Sequence, residues 1–252
     1  MFTRQRVLKV VLVGLLAFIG AFSLPPVPPA HAAAALVVNG LGDTIAADGV
    51  CTLREAITAA NTNVPVGDCP AGTSGADMIS FSVTGTITLT SQLPDISESL
   101  MISGPGADRL TISGNHAVGV LHVAAGSVML DDLTVADGIS QSGAGILNEA
   151  MLSISRSIFR SNALNDSSYT SGGAIFNQGT LMVADSTFSG NRAHVGGAIF
   201  NASGAGVVIM NSTFSGNSAE SGSGIYNAGS LTAIASSFAS NSATLFGAGI
   251  SN

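Results

Sequence analysis

The sequence predicts an all-β fold, a parallel β-helix built as a solenoid of roughly 24-residue coils behind a short N-terminal capping helix. Three observations carry this. A Phe-x-x-Asn signature recurs at Phe159/Asn162, Phe188/Asn191, Phe214/Asn217 and Phe238/Asn241. A small-residue run ending in Ile-x-Asn recurs at Ile146/Asn148, Ile175/Asn177, Ile199/Asn201, Ile225/Asn227 and Ile250/Asn252. Between them, apolar residues alternate in twos, as strand residues facing one interior do. A fixed period in this range marks units that bury their apolar side only by stacking on their neighbours. A leucine-rich horseshoe would need a Leu-x-x-Leu-x-Leu frame, which is missing, and antiparallel sandwiches would not repeat residue identities at one period.

Residues 1–32 have the layout of a secretory signal peptide. Arg4, Arg6 and Lys9 precede an apolar run from Val10 to Phe22, prolines follow, and Ala30-His31-Ala32 offers a small-x-small cleavage site. The apolar run is short and cationic on its leading side only, which separates it from a spanning helix. Nothing after Ala35 is apolar for long enough to cross a bilayer, so no transmembrane segment is expected once the leader is cleaved. The expected location is secreted or cell-surface.

Residues 33–78 read as an N-terminal cap. Thr52 and Glu55 fit a capping box, and Leu53, Ile57 and Ala60 then fall on one face of a helix of about nine residues. Asn61, Asn63 and Pro65 end it. Cys51 and Cys69 are the only cysteines, and a close even pair in an exported chain points to a disulfide rather than a metal site.

Residues 79–252 carry the coils. Val128, Leu152, Leu181, Val207 and Leu231 form one inward column, and Leu130, Ile154, Val183, Ile209 and Ala233 form another. Gly143, Gly172, Gly196, Gly222 and Gly247 open each Ile-x-Asn run and are expected at tight corners. The repeated Asn148, Asn177, Asn201, Asn227 and Asn252 are expected to stack as a structural ladder, each amide bonding its copy one coil on. The chain stops at Ile250-Ser251-Asn252, in mid-coil, which suggests a truncated sequence or an end covered by a partner.

The segment Asp48-Gly49-Val50-Cys51-Thr52-Leu53-Arg54-Glu55-Ala56-Ile57 resembles the CSLREA domain of exported bacterial proteins, with Thr52 where that name has Ser. The Gly-Gly-Ala-Ile and Phe-x-x-Asn copies are similar to the repeats of chlamydial polymorphic outer-membrane proteins. Both resemblances imply a right-handed parallel β-helix of the pectin-lyase-like kind, on the cell surface or secreted.

Composition narrows the partners. With the leader removed, five arginines stand against fifteen acidic residues, a net charge of −10, and no lysine remains. Nucleic acid needs clustered cations and is not expected as a partner; extracellular glycans or other surface proteins are. No cofactor is expected. Ca²⁺ is conceivable for an acidic exported chain, but the Gly-Gly-x-Gly-x-Asp nonapeptide that would mark a site is missing.

Two columns are candidate functional features. Arg109, Asp132, Arg156 and Asp185 stand three residues before successive anchors, so charges alternate up adjacent coils. The bland reading is a surface ion-pair ladder; the active one is a lyase site, in which an Arg base works beside carboxylates. Asp131 would face away from Asp132 if both lay in a strand. Phe176, Phe200 and Tyr226 occupy the position between Ile and Asn, and either join the core or face outward as a saccharide platform. His116, His122 and His194 fall in no catalytic frame. The sequence thus favours a non-catalytic exported β-helix, adhesive or structural, over a polysaccharide lyase or hydrolase of pectin-lyase-like type, and assigns no catalytic or metal-ligating residue.

Overall fold

The computed structural model describes residues 34–164 and 171–252; the signal segment expected at 1–32 lies outside the described residues. The chain winds through about seven turns, laying down three parallel sheets. The first sheet has eight strands, from Ala35–Val38 through Asp77–Phe81, Leu100–Ser103, Ser127–Asp131, Met151–Ser155, Thr180–Ala184 and Gly206–Met210 to Ser230–Ile234. The second has seven, from Gly85–Thr88 to Ser237–Ala239, and the third has six, from Leu121–Val123 to Ile250–Ser251.

Register follows the repeat. Ile146 pairs with Ile175, Ile175 with Ile199, Ile199 with Ile225 and Ile225 with Ile250. Phe159 pairs with Phe188, Phe188 with Phe214 and Phe214 with Phe238. Those four rings stack in the core with centroids 4.7–4.8 Å apart, and the first three are wholly buried. Val128, Leu152, Leu181 and Val207 line the same interior. On the last coil this interior opens to solvent, with Leu231 only half-buried and Ala233 exposed.

Three ladders of polar side chains hold the corners. Asn148 donates to Asn177 (2.6 Å), Asn177 to Asn201 (2.8 Å), Asn201 to Asn227 (2.7 Å) and Asn227 to Asn252 (3.0 Å). Asn162, Asn191, Asn217 and Asn241 repeat the pattern at the opposite corner, the first three with no exposed surface. The third ladder is made of serines: Oγ of Ser186, Ser212 and Ser236 accepts the backbone N–H of Ser157, Ser186 and Ser212 respectively. Inside the coils these bonds satisfy polar groups that burial would otherwise strand; the last rung, Asn227 to Asn252, is exposed.

The serine corner turns on a single residue. Asp132, Arg156, Asp185, Asn211 and Ala235 all adopt left-handed backbone conformations, with φ between 49 and 54 for four of them and 45 for Arg156. Gly143, Gly172, Gly196, Gly222 and Gly247 provide the other sharp corner, also at positive φ. A Cβ at Gly143 would collide with the carbonyl of Ile146, so glycine is required there for space as well as conformation.

The cap is helix α1, Leu53–Thr62. Thr52 Oγ1 accepts the Glu55 N–H while Glu55 Oε2 accepts the Thr52 N–H at 2.8 Å, closing the capping box. Glu55 is fully buried, and its other oxygen accepts the Ala46 N–H at 2.8 Å. Leu53, Ala56, Ile57, Ala59 and Ala60 face the core. Cys51 and Cys69 are joined in a disulfide beside the helix start, with Cα atoms 4.7 Å apart. Arg54 clamps the cap onto the first coils. It forks onto both carboxylate oxygens of Asp43 at 3.0 Å and donates to the Ser91 and Gln92 carbonyls.

Candidate binding face

In the third sheet Ile175, Ile199 and Ile225 point inward, so the next residue on each strand points out. Phe176, Phe200 and Tyr226 therefore stand on the outer face, each half-buried. They are direct cross-strand partners on successive coils. Their rings lie parallel within 7°, with centroids 5.0 and 5.3 Å apart. The column has Leu147 and His122 below it and Ser251 above.

The outward placement leaves open the saccharide-platform reading of this column and sets what it can offer a ligand. Flat rings offered face-on would take sugar C–H groups on their π-faces, but here the faces of Phe176 and Phe200 are turned toward their neighbours. What the column presents outward is a strip of ring edges, together with the Tyr226 hydroxyl and the Tyr226 face turned toward Ser251. The strip is apolar and continuous over three coils.

His122 ends the column in polar company. Its Nδ1 lies 2.9 Å from Asp95 and its Nε2 3.2 Å from Glu149. The second contact is an ion-pair distance without hydrogen-bond alignment, since Nε2 has no hydrogen-bond partner among the described residues. His194 pairs with Glu220 at 3.2 Å on the adjacent coil, and His116 lies 3.7 Å from Asp137. The histidines that sequence reasoning set aside are thus each placed against a carboxylate from a neighbouring turn. Only the coil register, not sequence proximity, brings those pairs together.

The charge column is shorter than its sequence spacing implies. Arg156 donates to Asp132 Oδ2 through Nε (3.1 Å) and Nη2 (3.0 Å), and Nη2 also contacts Asp131. The hydrogen bond to Asp132, with the nearby charges of Asp131 and Asp185, raises the Arg156 pKa above its ordinary value. Arg109 does not join. On its coil the one-residue corner is replaced by a loop over 104–109, and Arg109 is exposed and makes no ion pair among the described residues. Asp131 and Asp132 do not face apart either. Asp131 ends a strand, and the left-handed turn at Asp132 swings both carboxylates onto the same guanidinium.

Among the described residues no group of three or more His, Cys, Asp or Glu is placed to hold a metal ion. No described helix is long and apolar enough to cross a membrane. Comparison with known families completes the description of the coils: a family model for a right-handed β-helix region matches residues 101–252, more than half of the chain. The chain belongs to the right-handed β-helix family. The match begins at Met101, inside the third strand of the first sheet, and takes in every complete coil beyond it. No curated protein and no solved structure matched this β-helix.

Proposed function

We propose that this right-handed β-helix is an exported, cell-surface module that works without catalysis, as an adhesive element whose contact surface is the outer face of the third sheet. One observation carries the reading: Phe176, Phe200 and Tyr226 form a half-buried, stacked aromatic column on the outer face of the third sheet. Continuous exposed aromatics of this kind mark interaction sites. Glycans fit the chemistry, since sugar C–H groups can lie along the ring edges and on the open Tyr226 face. Hydroxyls can reach the phenol at one end and the Asp95 and Glu149 carboxylates at the other. The resemblance of the Asp48–Ile57 segment to the CSLREA domain of exported bacterial proteins supports the location.

The test is glycan binding by the purified protein on an array of extracellular polysaccharides, compared with the variant Phe176→Ala/Phe200→Ala/Tyr226→Ala. The expected result is binding by the native chain and its loss in the variant, with β-sheet circular dichroism unchanged. Binding that survives the triple change removes the column as the contact surface.

The second reading, a polysaccharide lyase or hydrolase, draws on the convergence of Asp131, Asp132 and Arg156. Against it, those carboxylates hold Arg156 in its charged form, whereas an Arg acting as base must shed its proton. Release of unsaturated ends from uronate polymers, abolished by Arg156→Ala, would make catalysis the function.

A further inference from the structure

Outside the leader the chain has six methionines, Met78, Met101, Met129, Met151, Met182 and Met210, and all six lie on the outer face of the first sheet. None is buried, and Met78, Met129, Met151 and Met182 are 38–57% exposed. Methionine is a residue of cores, where its flexible thioether fills gaps. None of these six takes a core position. Met78 pairs directly with Met101, and Met101 with Met129, on three successive coils. Met151, Met182 and Met210 continue the track by diagonal steps, each one coil on and two residues across from the last. Ser80 and Ser103 flank Met78 and Met101 on the same face, two residues along their strands, and are too small to cover them; Asp131 holds that position beside Met129.

We propose that the Met78–Met101–Met129 column binds a soft monovalent metal ion, Cu(I) or its mimic Ag(I), through its thioether sulfurs. Thioethers are poor ligands for hard cations and select Cu(I) among biological metals. The spacing fits. Adjacent parallel strands are about 4.7–4.9 Å apart, and an ion held in line between two sulfurs by bonds of roughly 2.3 Å spans nearly the same distance. The three rotatable bonds of each side chain let the third sulfur close in without moving the backbone. Both cysteines are tied in the disulfide, so the thioethers are the only soft donors among the described residues. The strand register fixes the three backbone positions before the ion arrives, which lowers part of the ordering cost of binding.

The experiment is a calorimetric titration of the purified, tag-free full chain with Ag(I) in chloride-free buffer. It is repeated with Cu(I) against a chromophoric Cu(I) chelator. Native protein is expected to take up the ion, and Met78→Leu/Met101→Leu/Met129→Leu to bind at least tenfold more weakly. Leucine keeps the bulk and apolarity, so a face that serves only to dock an apolar partner would not register the change. Met182→Leu/Met210→Leu is expected to bind as the native chain does. Methionine-methyl NMR of native protein gives a readout free of any folding defect, with three methyl resonances expected to shift on addition of Ag(I). Absence of uptake at micromolar protein, or equal uptake by the triple leucine variant, overturns the proposal.

Discussion

Asn177 donates its side-chain N–H to Asn201 Oδ1 at 2.8 Å, and the same amide reaches the carbonyls of Gly179 (3.1 Å) and Gly206 (3.2 Å). One buried side chain thereby ties its own corner to the coil above. Asn177 Oδ1 in turn accepts from Asn148 below. Replacing Asn177 by Leu breaks both amide–amide links of the ladder at this coil, takes the Asn177 amide from Asn201 Oδ1 and removes two bonds to backbone carbonyls, and is expected to lower stability by about 2–4 kcal/mol. Chemical denaturation reads this directly; a loss under about 1 kcal/mol would show that water replaces the ladder.

The core ring stack should be most sensitive at its centre. Phe188 is wholly buried between Phe159 and Phe214. Phe188→Ala is expected to cost about 3–5 kcal/mol. Phe238, at the end of the stack and only partly buried, should cost clearly less on the same change. Equal losses at the two positions would mean that the coils do not share one core.

The left-handed corner gives a prediction of opposite sign. Ala235 sits at φ 49 and is exposed. A residue without Cβ suits that conformation, so Ala235→Gly is expected to raise stability by about 0.5–1 kcal/mol, after the entropy that glycine adds to the unfolded chain. Ala235→Val should lower it, because a β-branched side chain is least tolerant of positive φ. Thermal melts of the pair give the signs.

At the cap, Asp43 is buried and accepts from Arg54, from the Thr90 N–H at 2.7 Å and from the Thr90 hydroxyl at 2.8 Å. Asp43→Ala leaves the mostly buried Arg54 without its partner and is expected to cost about 3–5 kcal/mol. Adding Arg54→Met to that variant should recover part of the loss, measured as the coupling energy of the double-mutant cycle. No recovery would place the whole effect on Thr90.

The coils were legible because their columns repeat an identity. An Asn ladder or a Phe stack works only when the same residue returns on every turn, so Ile-x-Asn and Phe-x-x-Asn can be counted along the chain and give the register. The serine ladder was equally regular, yet Ser157, Ser186, Ser212 and Ser236 are lost among the many serines of this sequence. The corner before it escaped for a different reason. Its requirement is a backbone conformation, which Asp, Arg, Asn and Ala all meet here, so a shared turn reads in sequence as an alternation of charges. Arg109 fits that alternation by counting and fails it in space, because the 104–109 loop replaces the turn. The outward placement of Phe176 followed from Ile175 facing in, but the ring orientation could not, since it depends on the coils above and below. The methionine track was hidden too: its members are separated by loops of unequal length, and only strand pairing aligns them.

The amide ladder has a consequence for insertion and deletion. Each coil meets only the copy beneath and the copy above, and presents the same partners to both. Excising residues 178–201 would let Asn177 take the place of Asn201 and face Asn227 directly, with isoleucine still following isoleucine up the third sheet. Duplicating the same stretch would insert a turn with no new joint to invent. Such edits alter height by one strand spacing, about 4.8 Å, at each step. The height of this fold is therefore a graduated quantity, altered by whole coils rather than by single residues.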